Sequence, residues 1–228
     1  MMIRNIFSFC IFASIKIVTT LCYRRQFCWT TPPPASFHDV RILILLNHTS
    51  LYDMMYISAF PFSWLWHVAK HISVAGADIT LNRPLVGLFW KLMCPGIQTI
   101  SRKRDESWEF YLQSLRNDHV VFITPEGRMK RPNGLDKHGR PMTVKSGVAE
   151  ILEKMEGGTA IICLTGGLHH VQAPGQKFPR LFQTIRMNIE CHEIQEYKAN
   201  FAHLLPEEAR KSLTQDLQYK LEHLCPTL

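Results

Sequence analysis

Val40-Arg-Ile-Leu-Ile-Leu-Leu46, followed at once by Asn47-His-Thr-Ser-Leu-Tyr-Asp53, is the stretch from which the rest of the chain can be read. The first half is short and aliphatic and ends in turn-forming residues, the pattern of a buried strand. The second half places a histidine just past the strand end, with a carboxylate five residues on. A pair of that kind can serve as general base and orienting partner. On a continuous helix at about 100° per residue, positions five apart point to different sides. His48 and Asp53 therefore meet only if His48 lies in the turn and Asp53 folds back from the first turn of a following helix. Ser50 suits the N-cap of that helix, and Leu51 begins its apolar segment. Ser50-Leu-Tyr-Asp53 also has the form of a capping box, which would make Asp53 a helix stabiliser and His48 an ordinary turn residue.

Working outward, short aliphatic runs alternate with helical patterns. Strands are predicted at Val40–Leu46, Trp66–Ala69, Gly96–Ser101, Val120–Thr124, Ala160–Leu164 and Ile185–Ile189. Helices are predicted at Leu51–Ala59, Leu85–Met93, Glu106–Arg116, Val144–Met155 and Glu207–Leu224. This alternation argues for an α/β fold with a mixed, largely parallel sheet flanked by helices. Ligands of such sheets collect beyond the carboxyl ends of the strands. His48 and Glu126 both follow strand candidates and could line one cleft. The run Phe60-Pro-Phe-Ser-Trp-Leu-Trp66 sets aromatics at alternate positions, fit equally for a membrane interface, an acyl-chain groove or the core.

The 228 residues suffice for one domain with a full hydrophobic core plus an appendage. Apolar residues make up 46% and charged residues 20%, which excludes a disordered chain. The formal charge of +7 fits an anionic partner such as a membrane surface or a phosphorylated substrate. The seven cysteines are scattered without a C-x-x-C pair, so neither a zinc site nor a disulfide framework is supported. His169-His170 reads as a loop pair rather than a metal site, and no metal is expected. Nucleic-acid binding is not expected, because no recognisable motif accompanies the basic balance.

The division predicted is an N-terminal membrane-associating helix over residues 1–30 and a catalytic domain over 31–228, with Pro32-Pro-Pro34 as a stiff break between them. A cleaved signal peptide fits poorly, since Arg24-Arg25 follows the apolar run without a small-residue cleavage site. A spanning helix would hold Lys16 near its middle, at a cost. On a helical projection Asn5, Ser8, Lys16, Thr19 and Thr20 share one arc, with Phe9 and Phe12 intruding. Ile3, Ile6, Phe7, Ile11, Ile17, Val18 and Leu21 lie elsewhere. An apolar, amphipathic helix lying in the interface or packed on the domain is the expectation, with Arg24-Arg25 near anionic headgroups.

Two further clusters carry chemistry. Gly96-Ile-Gln-Thr-Ile-Ser-Arg-Lys-Arg104 delivers Arg102 at a strand end, where a guanidinium can clamp phosphate oxygens. Ile123-Thr-Pro-Glu-Gly-Arg-Met-Lys-Arg131 turns at Glu126-Gly127. Glu126, beside Arg128, Lys130 and Arg131, is expected to stay ionised and to accept from a substrate hydroxyl or hold an arginine. Gly127 can take a conformation closed to other residues or let a ligand approach the backbone. Pro132–Pro141 is dense in turn residues and reads as a long loop over a site.

In order and spacing these clusters resemble the glycerolipid acyltransferase family, which includes the 1-acylglycerol-3-phosphate acyltransferases. That family carries N-H-x4-D, then G-x-x-x-I-x-R, then F-P-E-G-T-R, then an aliphatic strand containing proline. Asn47, His48 and Asp53 meet the first motif, and Gly96, Ile100 and Arg102 the second. Pro125, Glu126 and Gly127 meet the third, with Thr124 at the phenylalanine, Arg128 at the threonine and Met129 at the arginine position. Val144-Lys-Ser-Gly147 resembles the F-K-x-G that follows. Ala160–Leu164 keeps the last strand but has Cys163 in place of proline. The resemblance implies acyl transfer from a thioester of coenzyme A or acyl carrier protein, as co-substrate without a bound cofactor, to a lysophospholipid hydroxyl. It implies lysophosphatidate as the default acceptor and Arg102, Glu126, Gly127 and Arg128 as substrate-binding residues, while the scattered cysteines and the apolar N-terminus lead to the expectation of a membrane-associated protein whose active site faces the cytoplasm. A non-catalytic lipid-binding relative is the alternative. No G-x-S-x-G elbow offers a competing nucleophile.

Overall fold

A computed structural model of the chain describes residues 2–101, 105–173 and 175–227. Among them, seven strands form one sheet in the order β1-β7-β6-β2-β5-β3-β4. The strands are β1 (Arg24–Trp29), β2 (Val40–Leu46), β3 (Ile72–Ala77), β4 (Ile97–Ile100), β5 (Val120–Ile123), β6 (Thr159–Thr165) and β7 (Thr184–Glu193). All neighbours are parallel except β6 and β7. The helices are α1 (Met2–Cys22), α2 (Phe62–His71), α3 (Asp78–Leu81), α4 (Pro84–Met93), α5 (Glu106–Ser114), α6 (Gly147–Lys154), α7 (Ile194–Ala199) and α8 (Pro206–His223). Leu51–Ala59 is a 3-10 helix.

The central strand β2 explains the layering. Its side chains alternate, and with helices on both faces all must be apolar. Leu43 and Leu45 pack towards α1, α2 and the 3-10 helix, whereas Ile42, Ile44 and Leu46 pack towards α5, α6 and α8. The α/β expectation of a mixed, mostly parallel sheet flanked by helices, with an apolar N-terminal helix, is what the chain adopts.

Three expectations change. Trp66–Ala69 is not a strand but the middle of α2. Its buried residues, Trp64, Leu65, Val68 and Ala69, follow helical spacing, and short apolar runs do not distinguish the two. The Phe60–Trp66 aromatics divide accordingly: Phe60 and Trp64 are buried in the core, while Phe62 is exposed. Strands β1 and β3 were absent from the prediction. The first is polar at its start and lies at the sheet edge, and the second is rich in small residues. Since β1 lies within the first 30 residues and pairs with β7, that segment contributes a strand as well as a helix.

Helix α1 is turned with its polar arc inward. Ser8, Phe12 and Thr19 are buried, and Lys16 Nζ donates to the carbonyls of Ser58 and Phe60, both at 2.8 Å. Ile3, Ile6, Phe7, Ile17, Val18 and Leu21 face outward. The helix is long and apolar enough to cross a membrane.

At the amino ends of β2, β3 and β5 four histidines gather. His38 meets His67 edge-on with ring centroids 4.9 Å apart, and His67 stacks on His71 at 4.5 Å. His71 Nδ1 lies 3.4 Å from Asp118 Oδ2, beside His119. Burial, then the positive charge of His71, His38, Lys70 and Arg41, pushes the His67 imidazole down to about 4. The unfolded chain therefore binds a proton at His67 between pH ~6.5 and the folded value, and stability must fall as pH drops through that window. The lowered pKa of His119 acts in the same direction. The urea midpoint is expected to decline from pH 7 to pH 5 and to decline less in H67Q.

Candidate active site

The site lies beyond the carboxyl ends of β2, β5 and β6, neighbours in the order β6-β2-β5. As β2 ends, Asn47 turns the chain with φ 67°, a left-handed conformation that asparagine tolerates better than most residues. Its side-chain amide donates to Thr165 O at 2.9 Å, tying the turn to the end of β6. Thr165 Oγ1 in turn donates to Leu46 O at 2.9 Å.

His48 Nδ1 stands 2.7 Å from Asp53 Oδ2. The same oxygen accepts from Thr49 N at 2.9 Å and Ser50 N at 3.4 Å, and Ser50 caps the 3-10 helix in a full capping box. The cap and the imidazole contact therefore share one carboxylate oxygen, because folding back to cap the helix brings that oxygen to the imidazole. A carboxylate only accepts, so Nδ1 carries the proton and Nε2 is left with its lone pair. Burial opposes charge on His48, but the hydrogen bond and negative charge of Asp53, with the charge of Glu126, outweigh it and raise the pKa.

Glu126 is buried, and its Oε1 accepts from Asn47 N at 2.6 Å and His48 N at 3.2 Å. Through that oxygen Glu126 fixes the backbone that carries the imidazole. Burial pushes its carboxyl upward against those hydrogen bonds and the nearby His48 charge. Gly127 has φ 64° and open space where a Cβ would stand, so the turn uses the freedom of glycine and leaves its backbone approachable. Arg128 forms an ion pair with Asp136, a buried residue of the 132–141 loop. Asp136 also accepts from His138 N and Arg140 N, so one carboxylate orders the loop. Arg102 lies outside the described residues.

Several contacts here were not foreseen from the sequence. Lys130 joins the turn through Lys130 N donating to His48 O at 2.8 Å, and its Nζ lies 3.4 Å from Asn47 Oδ1. His169 Nε2 pairs with Lys130 O, and His170 Nε2 with Thr184 O, both at 2.8 Å, giving the histidine pair its place as a loop tie. Gln172 Oε1 accepts from the Ser50 hydroxyl at 2.9 Å. Only proximity in the fold brings these residues to the site, and no motif announces them. Cys163, at the place of the family's proline, is buried within β6, and burial pushes its thiol upward. Burial likewise holds the thiols of Cys94 and Cys225 at about 12, far from nucleophilic thiolates.

The geometry sets a carboxylate against one ring nitrogen of an imidazole and a second carboxylate on the backbone that carries it. A comparison with family models matches residues 31–165 to the family described as Acyltransferase. No curated protein matches. Among solved structures, the chain is similar to the crystal structure of the 1-acyl-sn-glycerophosphate (LPA) acyltransferase PlsC from Thermotoga maritima. The TM-score is 0.54 at 16% identity, covering 94% of this chain and 79% of that one, a likeness of fold.

Proposed function

The chain belongs to the acyltransferase family, and on that premise we propose that it transfers a fatty acyl group from an acyl-coenzyme A or acyl carrier protein thioester to a lysophospholipid hydroxyl. The observation carrying this reading is the 2.7 Å contact between His48 Nδ1 and Asp53 Oδ2 at the end of β2. A hydroxyl needs a base to become a nucleophile near neutral pH, and Nε2 of a histidine held in this tautomer supplies one.

In the proposed reaction His48 Nε2 takes the acceptor's hydroxyl proton as its oxygen attacks the thioester carbonyl carbon. The imidazolium that forms is stabilised by Asp53. The tetrahedral adduct collapses with cleavage of the carbon–sulfur bond, and the proton returns from His48 to the departing thiolate. An ester and a free thiol result, with no acyl-enzyme. Glu126 positions His48 by holding two successive amides, and the exposed backbone turn at Gly127 offers the acceptor an approach. Arg102, by its residue type and its place after β4, is assigned the acceptor's phosphate. Arg128 belongs to the same turn and acts together with Asp136. The outward apolar face of α1 supports membrane association of the 1–30 segment, with residues 31–228 as the acyltransferase domain.

Purified protein supplied with a panel of lysophospholipids and both classes of donor tests the proposal. Acylation of at least one acceptor, with release of free thiol in equal amount, is the expected result. If no acceptor is acylated with either donor, the transfer reading fails, and phospholipid binding without turnover would identify a lipid-binding relative instead.

A further inference from the structure

Between β6 and β7 the chain leaves the end of β6 beside the His48 turn and returns beside the end of α1. Near its start, His169 and Gln172 bond to Lys130 and Ser50, so this excursion is fastened to the segments that hold His48. At its far end Phe182 N donates to Cys22 O at 2.8 Å, and Arg24 N donates to Gln183 O at 3.0 Å. The residues of the tip turn their apolar side chains outward. Phe178 is 82% exposed and Phe182 69%, and Leu21, next to the Cys22 anchor, is 75% exposed. Phe182 has φ 60°, a backbone conformation that a bulky residue rarely adopts, and the ring it carries stays in solvent.

Charge narrows the choice of partner. Lys177 and Arg180 are exposed within the same tip, and Arg24 is exposed across from it. Exposed phenylalanines among basic residues suit the boundary between acyl chains and anionic headgroups, where the rings enter and the cations remain at the surface. Large apolar side chains held in solvent at one tip, here Phe178, Leu181 and Phe182, mark a place where something else docks. We propose that the Phe178–Phe182 tip, with Leu21, seats the protein on a bilayer containing anionic phospholipid, beside the segments that hold His48. The inference rests on the reading that the acceptor is a membrane lipid, and it adds a second contact to that of α1. Because the excursion is joined to the His48 turn through the Ser50 and Lys130 contacts, the seat holds that turn in a fixed relation to the lipid surface.

The test is sedimentation of the full chain with phosphatidylcholine vesicles, with and without phosphatidylglycerol, and with no acyl donor present. The wild type is expected to bind the phosphatidylglycerol vesicles more tightly. F178S/F182S should bind them about tenfold more weakly, the loss expected when two seated rings are removed. K177E/R180E should lose the preference for phosphatidylglycerol. Phe110, 67% exposed on α5 at the opposite face of the sheet, supplies a control, and F110S should bind as the wild type does. These side chains project from the surface, and an unchanged thermal midpoint verifies folding. The proposal is overturned if F178S/F182S binds like the wild type, or if F110S weakens binding equally. It is also overturned if the tip variants alter self-association while vesicle binding is unchanged. Turnover is not measured, so failure here leaves the acyl-transfer reading standing, and failure of acyl transfer leaves the vesicle result readable.

Discussion

Replacing His48 with alanine is expected to lower kcat for acyl transfer by about 10²- to 10⁴-fold, the range that a positioned general base contributes. The fold should survive, because the structural bonds of His48 run through its backbone: its N–H to Glu126 and its carbonyl from Lys130. Asp53→Asn should reduce kcat by a comparable factor for a different reason. An amide nitrogen turned towards Nδ1 donates rather than accepts, which favours the wrong tautomer and removes the charge that supports the imidazolium. Asp53→Ala should in addition cost about 0.5–2 kcal/mol of stability, since the capping box is lost with the orienter. Steady-state kinetics together with urea unfolding separates the two effects. A protein that only binds lipid would keep its affinity in both His48→Ala and Asp53→Asn and would show no activity to lose.

Glu126 is expected to give the second large effect, and its two substitutions should diverge. Glu126→Ala strips the acceptor from the amides of Asn47 and His48, at about 1–3 kcal/mol for each donor left buried without a partner. The turn bearing the base should loosen, lowering stability and kcat together. Glu126→Gln can keep an oxygen on both amides and removes the charge alone. That charge helps to raise the His48 pKa, so the neutral imidazole needed for catalysis predominates only at higher pH in the wild type. The ascending limb of kcat/KM should therefore lie above pH ~6.5 in the wild type and move to lower pH in Glu126→Gln. The stability sign runs the other way. A histidine whose pKa is raised on folding stabilises the protein fully below its unfolded value, and the contribution is lost as pH rises through the folded value. Activity and this part of the stability thus change in opposite directions over the same pH window.

The contrast between His48 and Glu126 shows what was legible in the chain. His48 and Asp53 are close in sequence, so local rules for turns and caps bring them together, and a reader can foresee the fold-back. Glu126 could be recognised as a residue of interest from its order and its glycine turn. Its partners could not, because they depend on β5 lying beside β2. Lys130 makes its contacts through the same adjacency, Thr165 and Gln172 through that of β6 with β2, and none of these contacts is announced by residue type. The failure at Trp66–Ala69 is local in origin, since an apolar run of that length satisfies strand and helix alike. Helix α1 is a third case. Its two faces are plain from composition, but which one meets the protein is decided by the Ser58 and Phe60 carbonyls awaiting Lys16.

The clamp of Glu126 on the Asn47–His48 turn joins residues 79 positions apart, and the Asn47 amide reaches Thr165 across 118. The geometry around His48 is consequently expected to close late in folding. Loop-closure entropy must be overcome before such distant segments repay it, and parallel strands cannot pair through a short hairpin. During refolding from urea, helical circular dichroism should return before the ability to turn over substrate. Enzyme activity would then report the closing of the middle of the sheet, making the active site a sensor of when this protein has finished folding.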